Sequence, residues 1–421
     1  KIQKKEGETM RYNKFVMKQI NKKNIINLIR KNGPINKAEL AKLSGLSIPT
    51  VMKITNEFIH NGLIRVIGKG KSHGGKRPEL LELIQDAYYI IGVDMGRSRT
   101  TVIMMDLGGN LISKRVMNTG DTFPAEGLLN RTVYLVKQIV LDSGIEEEKI
   151  LGLGIGTPGV LNPEKGEVVF SPDFMWENVS VTDVFEKEFH IPVYLENSNR
   201  TLAVGEKWFG VAVCSDNFIC LNLGHGIGSA IVEDGEMYSG TSGSSGEIGH
   251  LTLEKNGPLC QCGNYGCLEA LASGNAIASQ AKKYIADGNK TMILEMAQYN
   301  VDDIDAKEVF DAAKAGDEAA NEIIRKAIEY IGIALAGYIN LMDPDLVVLA
   351  GGIVNAGDIF VENLKAAIKS RQMKYAGRKV KIEVAKLGQD AAAIGAATII
   401  LKRFVEIGAA PDWQCRREEN V

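Results

Sequence analysis

A chain of 421 residues, 45% hydrophobic and 24% charged, is too long for one ordinary domain and has the make-up of a globular protein. No run of about 18 apolar residues that could span a membrane occurs, and the polar start Lys1-Ile2-Gln3-Lys4-Lys5 lacks the apolar core of a signal peptide, so the expected location is the cytoplasm. The net charge of −3 is unevenly divided: residues 1–78 hold 18 Lys and Arg against 4 Asp and Glu, a net of +14, which leaves −17 for the rest and points to a polyanionic partner for the head alone.

Met10 is a candidate natural start, and residues 1–11 read as a disordered N-terminus. From about Tyr12 to Arg30, Phe15, Ile20, Ile25, Leu28 and Ile29 recur near the helical period, and Asn32-Gly33-Pro34 stops the helix. A second helix is expected over Lys37 to Ser44. Gly45 then turns the chain, Ser47 is placed as the N-cap of a third helix with Pro49 in its first turn, and Asn61-Gly62 ends it. Val51, Ile54, Phe58 and Ile59 form the expected buried stripe of that helix. Leu63–Ile67 and Leu80–Leu83 read as strands around a basic, glycine-rich tip, which makes residues 12–84 a winged helix-turn-helix.

A second unit begins near Tyr88. Tyr89–Asp94, Thr101–Asp106 and Leu111–Val116 read as strands, followed by a helix from about Glu126 to Ser143 and a strand over Ile150–Gly156. Phe218–Leu223, the glycine turn Gly224-His225-Gly226-Ile227-Gly228 and Ser229–Val232 repeat the strand–turn–strand pattern, which predicts a duplicated α/β body. A long helix is expected over Glu318–Leu341, a strand over Leu346–Ala350 and a last helix over Ala391–Phe404, with 406–421 as a tail.

In a helix-turn-helix the start of the second helix of the motif faces base edges, so Ser47, Thr50 and Lys53 are the candidate base contacts. Lys69, Lys71, His73, Lys76 and Arg77 on the wing suit phosphates or the minor groove. A three-helix bundle that contacts only protein would explain the helices but not the basic wing. Cys260, Cys262 and Cys267, with His250 ten residues before the first thiol, suit tetrahedral zinc; four protein ligands leave no open position, so the expected role is structural. Cys214, Cys220 and Cys415 stand apart and receive no role.

Gly246-Glu247-Ile248-Gly249-His250, the cysteine cluster continuing into Leu268-Glu269, Gly154-Ile155-Gly156-Thr157-Pro158-Gly159 and Glu196-Asn197 together resemble the signature of the ROK family of repressors and sugar kinases. The resemblance covers about residues 88–405. With the head and the wing end Gly74-Gly75-Lys76-Arg77-Pro78, it is to the xylose-repressor-like branch. It implies an α/β fold in which the winged helix-turn-helix precedes a two-lobed actin/hexokinase-type domain. It also implies a sugar site of Asn197, Glu247, His250 and Glu269, to which Ser198 can add a hydroxyl. Carboxylates accept hydrogen bonds from vicinal hydroxyls and an amide gives and takes them. His250 is expected to hold zinc by one ring nitrogen and face the sugar with the other.

The kinases of that family place aspartate after Glu-Asn, where this chain has Ser198, which cannot accept a proton at neutral pH. Arg97 and Ser98 after Asp94-Met95-Gly96, and His225 in the second turn, also depart from the kinase pattern. The expectation is therefore a sugar-responsive repressor rather than an enzyme. It would act as a homodimer or dimer of dimers on palindromic operator DNA, with xylose or glucose as the effector suggested by the branch. The alternatives are an ATP-dependent sugar kinase with an accessory head, or a regulator driven by a protein partner.

Overall fold

The computed structural model describes residues 2–70, 77–120, 124–374 and 380–407. Its head runs through helix α1 (Ile2–Asn32), strand β1 (Ile35–Asn36), helices α2 (Lys37–Ser44) and α3 (Ile48–His60), and strands β2 (Ile64–Lys69) and β3 (Glu79–Leu83). Asn36 starts α2 because its side chain accepts from the backbone N–H groups of Ala38 and Glu39, while Glu39 reaches back to the Asn36 N–H. Gly45, at φ 70°, closes the helix in the left-handed conformation that glycine adopts without steric cost. The three helices bury Ile25, Ile26, Ile29, Leu40, Val51, Ile54 and Phe58. The strands pair in the order β1-β3-β2 as a three-stranded wing.

Two expectations for the head are corrected. Helix α1 starts at Ile2, not near Tyr12. An apolar period marks only the part of a helix that packs, whereas Lys and Glu continue a helix by propensity. Ile20 and Ile59, expected on buried faces, are 51% and 36% exposed.

The body continues with strands β4 (Tyr89–Met95), β5 (Arg99–Asp106) and β6 (Leu111–Asn118), helix α4 (Ala125–Ser143), and strands β7 (Ile150–Thr157), β8 (Val160–Asn162), β9 (Glu167–Ser171) and β10 (Trp176–Ser180). Helix α5 (Thr182–Phe189), strand β11 (Val193–Asn197), helix α6 (Ser198–Phe209) and strands β12 (Phe218–Leu223), β13 (Ile227–Glu233) and β14 (Glu236–Met237) follow. The rest comprises helices α7 (Leu268–Ala272), α8 (Gly274–Ala286), α9 (Ile293–Met296), α10 (Ala306–Lys314) and α11 (Glu318–Met342), strand β15 (Leu346–Ala350), helix α12 (Asp358–Arg371), strand β16 (Lys381–Val384) and helix α13 (Ala391–Ile407).

The duplication expected from the repeated turns is visible in the strand orders. One five-stranded sheet runs β11-β7-β4-β5-β6 and the other, read from its far edge, runs β16-β15-β12-β13-β14. In each, an antiparallel hairpin (β4 with β5, β12 with β13) carries the glycine turn. In the second sheet, β12, β15 and β16 are parallel. Alternation along β12 sends Ile219, Leu221 and Leu223 into a core shared with α7, α8, α10, α11 and α12. Phe218 and Cys220 face the opposite core, with Leu202 and Ala203 of α6.

The chain divides into two compact units: Lys1–Ile155, Ser180–Leu195 and Ala396–Val421 in one, and Gly156–Val179 and Glu196–Gly395 in the other. The first holds the head together with the first sheet. No free linker separates them: Gln85 accepts from the Leu107 N–H through its backbone carbonyl (2.9 Å) and from Asn110 Nδ2 through its side chain (3.1 Å). Among the described residues no helix is long and apolar enough to cross a membrane.

Candidate functional site

On α3, the Ser47 hydroxyl accepts from the Thr50 N–H (3.4 Å) and pairs with the Thr50 hydroxyl at 2.9 Å. Both predicted contact residues thus belong to the helix cap, and each hydroxyl has hydrogen-bonding capacity to spare. Lys53 stands exposed on the outward face. Glu57, on the flank toward α1, pairs with the buried Lys22 and with Lys18, which fixes the tilt of α3 on α1. On the wing, Lys69 pairs in register with Glu79, and both Lys69 and Arg77 are exposed at the base of the tip. Lys71, His73 and Lys76 lie outside the described residues.

The metal candidate is built by a tight fold of the chain between β14 and α7. Cys260 N–H donates to the Asn264 carbonyl (2.8 Å), Gly263 N–H to Cys260 (2.9 Å) and Gly266 N–H to Pro258 (2.8 Å). Gly266, at φ 67°, passes so close to Glu254 that a Cβ would lie 1.7 Å from its carbonyl oxygen; no other residue fits. The loop brings one ligand atom each of His250, Cys260, Cys262 and Cys267 within 4.8 Å of one another. Cys262 and Cys267 sulfurs are 3.7 Å apart, and Cys260 Sγ is 3.6 Å from His250 Nδ1. Ligands at tetrahedral positions about 2.3 Å from a zinc ion would be separated by about 3.8 Å, so the residues fit such an ion. Burial, together with the neighbouring Cys262 and Cys260, pushes the Cys267 thiol up to about 12 and burial raises Cys260 as well, while hydrogen bonds from the Asn264 backbone and the two other thiols lower Cys262 against its own burial. Crowded thiolates need a cation to exist together.

With Nδ1 turned to the thiols, His250 Nε2 faces outward, 3.9 Å from Glu247 Oε2. Cys267 leads directly into α7, and Glu269 sits in its first turn. Glu269 Oε2 accepts from the Ile227 N–H at 2.8 Å, through the second glycine turn. Burial raises the pKa of Glu269; the Ile227 bond and His250 oppose this, while Asp173 and Glu247 add to it. Glu247, His250 and Glu269 therefore form one electrostatic cluster, as expected, and Asp173 joins it. Asp173 was missed in the sequence because a carboxylate in the loop before Trp176 carries no distinguishing spacing. Thr157 Oγ1 at the end of β7, Ser171 Oγ at the end of β9 and Trp176 Nε1 at the start of β10 are buried polar atoms without a protein partner.

Asn197 is the N-cap of α6. Its Oδ1 accepts from the Asn199 N–H (2.9 Å), and its Nδ2 donates to the Gly159 carbonyl (3.1 Å), leaving one donor and one acceptor site on the amide. Ser198 is the first residue of the helix and half-buried. The start of α6 rests on β13: Asn199 lies where a Cβ of Gly228 would be, next to the Ile227 that anchors Glu269. His225 in the turn is exposed, and its carbonyl accepts from Asn275 at the start of α8.

A sequence profile described as ROK family matches residues 90–403, and one described as winged helix-turn-helix DNA-binding matches residues 19–65. The chain is 33% identical to the xylose repressor of Caldicellulosiruptor bescii, over 92% of this chain and 97% of the relative. The crystal structure of a ROK family transcriptional regulator, a homolog of the E. coli MLC protein, matches with a TM-score of 0.80 at 27% identity; the match covers 93% of this chain and 98% of that one. A ROK family glucokinase from Streptomyces griseus in complex with glucose and AMPPNP matches with a TM-score of 0.66 at 28% identity, over 74% of this chain and 98% of the kinase.

Proposed function

This chain belongs to the ROK family, and from that premise we propose that it is a sugar-responsive DNA-binding repressor of carbohydrate-use genes whose kinase-type body binds a free sugar without phosphorylating it. The observation that carries the reading is Ser198 at the start of α6, in a body that otherwise keeps the carboxylates and imidazole for gripping hydroxyls. Loss of a general base costs roughly 10²–10⁴ in rate. The relative over nearly the whole chain is named a xylose repressor, which supports both the regulatory reading and a xylose effector; the glucose in the kinase neighbour supports glucose.

In this reading Glu247, His250, Glu269, Asn197 and Ser198 bind the sugar. Zinc held by His250, Cys260, Cys262 and Cys267 fixes the His250 ring so that Nε2 faces the ligand, with no open position for catalysis. Ser47, Thr50, Lys53, Lys69, Lys71, Lys76 and Arg77 contact the operator. A homodimer places two heads on a palindrome, and sugar binding releases DNA. Two measurements on the full chain test this. Gel shifts with xylose, glucose and related sugars should show weakened operator binding with at least one of them. A coupled assay for sugar-dependent ADP release should show none; turnover at an enzyme-like rate would establish the kinase instead.

A further inference from the structure

The outward face of α3 is unusual for a surface that reads DNA. Its first two turns expose Ile48 (52%), Pro49, Met52 (44%) and Lys53, with Thr50 half-buried and Asn56 exposed at the start of the next turn. Ile48 and Met52 are four residues apart and so lie one above the other on the helix. The buried stripe Val51, Ile54, Thr55 and Phe58 lies to one side of them, and Ile48 and Met52 each keep about half of their surface open to solvent. Ser47 and Thr50, the nearest hydroxyls, already bond to each other. Beside these two cap hydroxyls, whose remaining hydrogen-bonding capacity lies at one end of the helix, the face offers few donors and acceptors and a large apolar surface.

The occupant of the face is set by charge and position. The face lies on the second helix of a winged helix-turn-helix, in a segment of net charge +14, which selects a polyanion rather than an apolar protein surface. In the major groove of a duplex, the apolar group on a base edge is the C5-methyl of thymine. We propose that Ile48 and Met52 are specificity-determining residues that pack on thymine methyl groups, so that each operator half-site presents A·T pairs to the first two turns of α3. The inference rests on the operator-binding reading and goes further by naming which bases are read and by which side chains.

The test uses the full chain. Duplexes are first selected from a random library by the wild-type protein; each thymine of the selected half-site is then replaced in turn by deoxyuridine, which removes only the methyl. At one or two positions the replacement should weaken wild-type binding by about fourfold, the effect of returning one such group to water. Ile48→Ala or Met52→Ala should abolish that sensitivity at its own position while leaving the slope of affinity against salt unchanged, because no phosphate contact is lost. Both side chains are exposed, so the variants should fold, and retained salt-dependent binding to unrelated duplex confirms it. Methyl removal without effect, or with the same effect on wild type and variants, overturns the proposal while operator binding stands. A library that yields no enriched duplex overturns both. If the alanine variants instead keep the same duplex preference and lose a protein contact, the face belongs to a protein partner and the proposal fails.

Discussion

Gly226 shows how narrowly the proposed sugar site is set. A Cβ at this position would lie 2.5 Å from Glu269 Oε2, so the carboxylate can reach the Ile227 N–H only past a glycine. Gly226→Ala should push Glu269 off its anchor and weaken sugar affinity by roughly tenfold, about one lost charge-assisted hydrogen bond. Titration calorimetry, with zinc content measured alongside, checks this, since the zinc ligands are untouched. The proximity of Glu247, His250 and Glu269 was legible in the sequence because they lie in tight motifs close along the chain. Asp173 was not, because its role depends on a fold that carries the loop before β10 to α7. The pairing of Ser47 with Thr50 was half legible: the cap could be read from residue types, but not the hydrogen bond between the two hydroxyls.

Two elements bear on stability. The proposed zinc loop is held by short backbone bonds and the Tyr330 hydroxyl on Glu254. Removing zinc with a chelator should lower the melting temperature by several degrees and abolish sugar binding, since His250 loses its orientation; scanning calorimetry before and after adding zinc back would show both, and unchanged sugar affinity would mean the ring is fixed by other means. Helix α11 depends on Asp317, whose carboxylate accepts from the Ala320 N–H (2.8 Å), the Met292 N–H (2.7 Å) and the Thr291 hydroxyl (2.9 Å). Burial works against the charge, but these bonds outweigh it and hold the pKa below the usual value. A depressed acid stabilises the fold above its unfolded pKa and loses that contribution as pH falls through its folded one. Asp317→Ala should therefore cost about 1–2 kcal/mol at neutral pH, with the gap from wild type closing below about pH 4 in thermal melts. The strongly patterned elements were legible: β4, β5, β12 and β15 as strands and α11 as a long helix. The short strands β8, β9, β10 and β16 were not, because a few half-exposed residues carry too little alternation.

At the scale of the molecule, a sugar bound in the body must change an equilibrium that includes the head, and linkage makes the effect reciprocal: if sugar weakens operator binding, operator weakens sugar binding by the same factor, typically about 5–150-fold. The connection between the head and the first sheet is not a loose tether. Gln85 joins the end of the wing to the β5–β6 turn by two hydrogen bonds, and Asp106 braces that turn by accepting from the backbone of Gly108 and Asn110. Gln85 is exposed, and Gly108 leaves room for it: a Cβ there would meet the Gln85 side chain at 2.8 Å. A double change of Gln85→Ala and Asn110→Ala should thus leave the cores of head and body intact. It should preserve sugar affinity without DNA and operator affinity without sugar, yet shrink the factor by which each ligand alters the other. Calorimetry of sugar binding with and without operator duplex, repeated on the double variant, measures that factor directly. A coupling as large in the variant as in the wild type would place the transmission elsewhere, either in a movement of the two heads of a dimer or along another connection between wing and body.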